Sequence, residues 1–217
     1  MAIVKARRWI VWLGCAALWT TLGGVGCDLF RPANPEPPLE GSIPAGYGDP
    51  DQTLNMIALA IQDKARTNGS SVYIGAFAES TAATTPAYHH FFWPSDIDNC
   101  ASCGGVAPDW GIALERDFYN KFVNLRGDEY QMTWVADDTR PDDIRETRAE
   151  IHRHYEITTQ TTDGMITGAL AKGFADLVLV KGVDGNWRIT IWDDRIDPSA
   201  DPGAEEVSLG RRRLGAR

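Results

Sequence analysis

Two histidines, His152 and His154, stand one residue apart in a stretch where apolar and polar residues alternate, and strand geometry sends both side chains to one face. Such a pair can hold a metal ion, but Glu156 and Thr158 share that face, which reads better as the watery outside of a sheet. Cys100 and Cys103 lie in a turn-rich loop. With His89 and His90 they could form a metal site, but structural zinc needs two well-spaced ligand pairs and this chain offers one CxxC. In an oxidising compartment a local disulfide is the stronger reading, and a thioredoxin-like role lacks the strand before and the helix directly after the pair. The acid pairs Asp137-Asp138 and Asp142-Asp143 lack the ligand spacing of a calcium loop and read as solvated loop. No metal and no cofactor is expected.

The elements that position these groups follow from periodicity. Asp49 is suited to cap a helix with Pro50 at its first position and Gln52 three residues after the cap. Leu54, Ile57, Ala58, Ile61 and Ala65 then recur on one helical face, which predicts a helix from Pro50 to about Arg66. Ser70 can cap a second, shorter helix presenting Tyr73 and Phe77. A third, opening near Pro108-Asp109, carries Trp110, Leu114, Phe118 and Phe122, with Glu115, Arg116 and Asp117 as its wet face and Glu115 near the edge of a cavity. A short strand is expected at Phe91–Trp93. From Glu129 the period becomes two, and strands follow at Tyr130–Trp134, Arg148–Thr161 and Ile166–Lys181. Phe174 to Val180 is too continuously apolar for a strand wetted on one face, so it sits mid-sheet. Asp184-Gly185 turns the chain into a last strand with Trp187, Ile189 and Ile191 on one side and Arg188, Thr190 and Trp192 on the other.

At 217 residues and 43% hydrophobic content the chain can build one ordinary core with appendages. Its net charge is −9, and without the first 26 residues, which hold Lys5, Arg7 and Arg8 but no acid, it is −12. Nucleic acid is therefore an unfavoured partner. Residues 1–26 combine a short basic region with an apolar span, the layout of a signal peptide. Leu22-Gly23-Gly24-Val25-Gly26-Cys27 resembles the lipobox of bacterial lipoproteins, which implies acylation of Cys27, a membrane partner through lipid, and residence in the cell envelope. An uncleaved anchor and plain secretion are the alternatives. Residues 27–48, with Pro32, Pro35, Pro37, Pro38 and Pro44, form a stiff tether. Residues 198–217, with Arg211, Arg212, Arg213 and Arg217, are expected to be a solvated, disordered tail.

Helices first, then long antiparallel strands ending in DGNWRITIWDDR, indicate an α+β domain over 49–197 with helices on one sheet face. With its aliphatic first helix, Tyr73 and Phe77, Trp110-Gly111 and Glu115, this order resembles the NTF2-like superfamily of ketosteroid isomerases and SnoaL-like cyclases. Residues 94–107 read as a loop insertion. The resemblance implies three helices on a curved antiparallel sheet, a cone around a pocket. Residue parity then puts Asp193 inside with Trp187, Ile189 and Ile191, groups Asp176 with Phe174 and Val178, and turns Arg153 and Tyr155 inward with Ile151 and Ile157. Two readings of those residues stand. Arg153 can neutralise Asp176 or Asp193, or a carboxylate beside Tyr155 can transfer protons, in the way that ketosteroid isomerases combine a carboxylate base with a tyrosine donor. The expected function is a lipid-anchored module that binds a small apolar ligand or a partner protein. An isomerase, dehydratase or cyclase, and a scaffold forming a homodimer through its sheet face, are the other two.

Overall fold

A computed structural model describes residues 46–63, 68–79, 86–124, 129–160, 166–196 and 207–216, all within the compact unit Pro44–Arg217. The leader, Cys27 and most of the tether lie outside the described residues. Helix α1 is Pro50–Gln62, started as the sequence demands: the Asp49 carboxylate accepts from the Gln52 amide at 2.7 Å, and the Gln52 side chain accepts from the Gly48 amide at 3.2 Å. Helix α2 is Gly69–Gly75, preceded by Asn68 in the left-handed conformation. Strand β1 is His89–Phe91, and helix α3, Pro94–Asp98, occupies the loop region that also holds the expected Cys100–Cys103 disulfide. Helix α4 is Ile112–Asn124.

Strands β2 (Glu129–Ala136), β3 (Asp143–Ile144), β4 (Arg148–Gln160), β5 (Ile166–Lys181) and β6 (Trp187–Ile196) complete one sheet of order β1-β6-β5-β4-β2, with β3 pairing β4. The β5–β6 hairpin is antiparallel as expected, and Gly185 takes the positive φ of +80° that its turn needs. β5 is central, which explains its continuous apolar run. The sheet is mixed, not purely antiparallel, because β1 runs parallel to β6.

The helices cover one face of this sheet. The Trp134 indole donates to the Leu54 carbonyl at 3.0 Å, the Thr53 hydroxyl to the Trp187 carbonyl at 3.1 Å, and the Tyr119 hydroxyl to the Ala60 carbonyl at 2.6 Å. These bonds tie α1 to β2, β6 and α4 around buried Leu54, Ile57, Ile151, Ile157, Leu177 and Leu179.

The tail departs from expectation. Its described part forms helix α5, Leu209–Gly215, capped by the Ser208 hydroxyl, which accepts from the Arg211 amide at 2.9 Å. Leu209, Arg213 and Leu214 are buried, so these residues are not a solvated end. Ionic and aromatic contacts beneath it outweigh the two glycines that make this segment a poor helix by propensity.

Candidate functional site

Strand alternation places Ile151, Arg153, Tyr155 and Ile157 of β4 on the buried face, as parity requires. On β6 that parity breaks. Val178 pairs with Ile191 and Leu179 with Ile189, so Thr190 is an extra residue, a bulge that reverses the faces beyond it. Trp187 and Ile189 point inward before it, Trp192 and Asp194 after it. Asp193, expected inside, therefore lies on the outer face, and Asp194 is the carboxylate beside the tyrosine.

The Tyr155 hydroxyl donates to Asp194 Oδ1 at 2.7 Å and accepts from the Leu209 amide at 2.7 Å, while the Gly210 amide donates to Asp194 Oδ2. Asp194 is wholly buried. Burial pushes its carboxyl up to about 7, against the pull of the Arg213 charge and of the hydrogen bonds from Tyr155 and Gly210. Burial, and then the Asp194 charge, raises the Tyr155 phenol well above its ordinary value.

Three side chains converge on Gly210. A Cβ there would lie 3.0 Å from Asp194 Oδ2, 3.3 Å from Asp96 Oδ2 and 3.5 Å from His90 Nε2. Asp96 accepts from the Ser208 hydroxyl at 2.6 Å. His90 sits opposite Trp192 in the parallel pair, and neither of its ring nitrogens has a hydrogen-bond partner. Burial, then the Arg213 charge, holds it neutral, well below its ordinary pKa.

Gly173 leaves room for the Tyr155 hydroxyl and the Arg195 carbonyl. A Cβ at this position would meet the Arg195 carbonyl at 2.5 Å and the Tyr155 hydroxyl at 2.7 Å. Gly173→Ala should therefore cost about 1–3 kcal/mol in urea unfolding, because backbone must move to admit it. Unchanged stability would show that β5 and β6 are spaced more widely here.

A second polar centre lies deeper. Glu115, expected on the wet face of its helix, is fully buried, because the inward stripe of α4 is Glu115, Phe118, Tyr119, Phe122 and Val123. Its Oε1 accepts from the Tyr73 hydroxyl at 2.6 Å, and its Oε2 from the Trp110 indole at 2.7 Å and the Tyr88 hydroxyl at 3.3 Å. Arg213 from α5 completes it. Its Nε donates to Oε2 at 2.9 Å and its Nη2 to Oε1 at 2.8 Å, and its guanidinium carbon lies 4.3 Å from the Trp192 ring centre and 5.4 Å from that of Phe118. Burial alone would lower the Arg213 pKa, but the adjacent Glu115 carboxylate holds it well above its ordinary value.

The other sequence candidates are dispersed. Arg153 is buried at one side of the sheet, where it bridges Asp51 at 2.8 Å and Asp142 at 2.8 Å, joining α1 to the loop before β3. It meets neither Asp176 nor Asp193. Asp176 lies on the outer face, opposite to Tyr155, among Arg140 at 2.5 Å, His152 at 2.8 Å and Arg195 at 3.0 Å. Although partial burial opposes it, these partners hold its carboxyl below the usual range. Burial and the Asp176 charge raise Asp193. The His152 and His154 face is this outer one, and among the described residues no group of three or more His, Cys, Asp or Glu is placed to hold a metal.

Sequence reasoning missed Asp194, Asp96 and Tyr88, weighed His90 only as a partner of the cysteines, and placed Arg213 in a solvated tail. Only Ser208 before Leu209, a capping residue ahead of an apolar one, offered a signal for the helix that brings Arg213 inward.

The element order and the sheet define an α+β protein with helices laid over one face of a six-stranded mixed sheet. No protein-family model and no curated protein matches the chain. Among solved structures, it is similar to a protein of unknown function from Mycobacterium tuberculosis, at 18% identity over 76% of this chain and 89% of that one, with a TM-score of 0.46. It is also similar to an NTF2-like protein of unknown function from Exiguobacterium, at 11% identity over 68% and 99% of the two chains and a TM-score of 0.37. A protein of unknown function with a cystatin-like fold from Nostoc punctiforme gives 13%, 69% and 89%, with a TM-score of 0.43.

Proposed function

We propose that this protein is a lipid-anchored, extracytoplasmic NTF2-like module that binds a small ligand or a partner protein and performs no chemistry of its own. The observation that carries the binding reading is the Arg213–Glu115 pair. The interior of the cone holds a cation seated against a carboxylate and aromatic rings, an arrangement suited to recognition. The anchoring reading rests on the leader and the lipobox-like residues ending at Cys27. Stable attachment takes at least two hydrocarbon chains, which an acylated N-terminal cysteine supplies.

Radiolabelled palmitate given to cells expressing the full chain tests the anchor. Label should appear in the membrane-bound protein and vanish in Cys27→Ala. Unlabelled, full-length chain in the cytosol would overturn it.

A proton-transfer enzyme is the second reading, favoured by one observation: the Asp194 carboxyl, pushed up to about 7, hydrogen-bonded to Tyr155. Turnover lost in Asp194→Asn would mark that reading, whereas a binding module keeps its ligand affinity in the same variant.

A further inference from the structure

The receptor half of the Glu115 centre is independent of the helix that fills it. Tyr73 comes from α2, Tyr88 from the residues before β1, Trp110 from those before α4, and Trp192 from β6. The first three of these side chains deliver neutral donors to Glu115 without involving α5, so the carboxylate has partners besides Arg213. What Arg213 adds is a planar cation engaging both oxygens and stacked on Trp192. A lysine ammonium cannot reproduce that fork. The donor of this cation is a seven-residue helix, too short to persist without its docking contacts. Cavities of about 520 Å³ and 290 Å³ open along two sides of it, the first beside Phe122, Tyr130 and Leu170, the second beside Asp96 and Cys100. In energetic terms, α5 resembles a bound peptide that is also joined through the chain.

We propose that the interior of the cone is a receptor for an alkylguanidinium group, occupied in cis by Arg213 and able to take the same group from a free small molecule or from an arginine on another chain. The inference rests on reading the cone as a binding site and names the class of its ligand. Selectivity follows from the site: a carboxylate with both oxygens available for parallel N–H bonds favours guanidinium over ammonium, and the Trp192 face favours a flat cation.

The test is chemical rescue in the full chain. Arg213→Ala removes the ethylguanidinium portion of the side chain and leaves its seat. N-ethylguanidinium should raise the thermal midpoint of Arg213→Ala by about 3–6 °C at ten times its dissociation constant. It should leave the unsubstituted protein unmoved, and ethylammonium should do neither. If Arg213→Ala is unfolded in buffer, the same ligand should restore its folded signal.

A second arm uses the same Arg213→Ala chain, whose seat is vacated, and a synthetic peptide spanning 207–216. The peptide should bind at least about tenfold more tightly than its own Arg213→Ala version, as expected for loss of one charge-assisted pair. A response to ethylguanidinium alone assigns the site to free small guanidinium compounds, and a response to the peptide alone assigns it to an arginine of another chain. Equal effects of guanidinium and ammonium, or no response in either arm, would overturn the proposal. The readout is the stability of the variant, so the outcome does not depend on membrane anchoring or on finding the natural occupant.

Discussion

Glu115→Ala should lower the free energy of unfolding by more than Arg213→Ala does, although the two side chains form one ion pair. Losing Arg213 leaves a buried carboxylate that still accepts from Tyr73, Tyr88 and Trp110. Breaking a buried pair costs about 3–5 kcal/mol, and this residual satisfaction places Arg213→Ala near the lower end. Losing Glu115 strands four donors at once: two phenols, an indole and a guanidinium whose Nη1 already lacks a partner. Each unsatisfied buried group adds about 1–3 kcal/mol, so Glu115→Ala belongs at or beyond the upper end. Urea unfolding of both single variants and the double variant measures the difference and the coupling between them. A coupling below about 0.5 kcal/mol, the range of independent sites, would mean that the two groups do not meet inside the cone.

That asymmetry could not have been anticipated from the sequence, and the reason is local. Elements whose identity rests on periodicity were legible: α1 from its Asp-Pro start and its Leu54, Ile57, Ile61 stripe, β4 from strict alternation, and the β5–β6 hairpin from Asp184-Gly185. The inward placement of Arg153 and Tyr155 followed from the same alternation. Parity, however, is only as good as the register. One inserted residue at Thr190 exchanges Asp193 for Asp194, and nothing in the composition of TIWDDR announces a bulge. Glu115 was hidden for a different reason. On helical spacing it borders the apolar stripe, and its full burial depends on distant donors, among them the guanidinium of a segment 98 residues away. Arg213 stands in a run of three arginines between glycines, a composition that reads as solvated chain unless a buried acid is known to await it.

Asp194 should carry a pH dependence of stability opposite in sign to that of an ordinary ion-paired carboxylate. Its carboxyl rises from 3.8 to about 7 on folding, so the folded chain holds a proton that the unfolded chain releases above about pH 4. The contribution is therefore fully present below pH 4, falls as pH rises, and is gone above about 7. Its full span is roughly 4 kcal/mol, one pKa unit being about 1.4 kcal/mol. His90 works against it in the wild-type protein. Held neutral by burial, it takes up a proton only on unfolding, so its contribution is lost as pH falls below its ordinary value of 6.5. The two slopes partly cancel, and Asp96, itself raised by burial, adds to the Asp194 side. The comparison with Asp194→Asn removes the contributions that both proteins share. Relative to that variant, the wild type should be favoured at pH 4.5 and should lose about 3 kcal/mol of this advantage by pH 8, as measured by urea unfolding at three pH values. A difference that stays flat, or grows toward alkaline pH, would show that Arg213 keeps Asp194 ionised throughout.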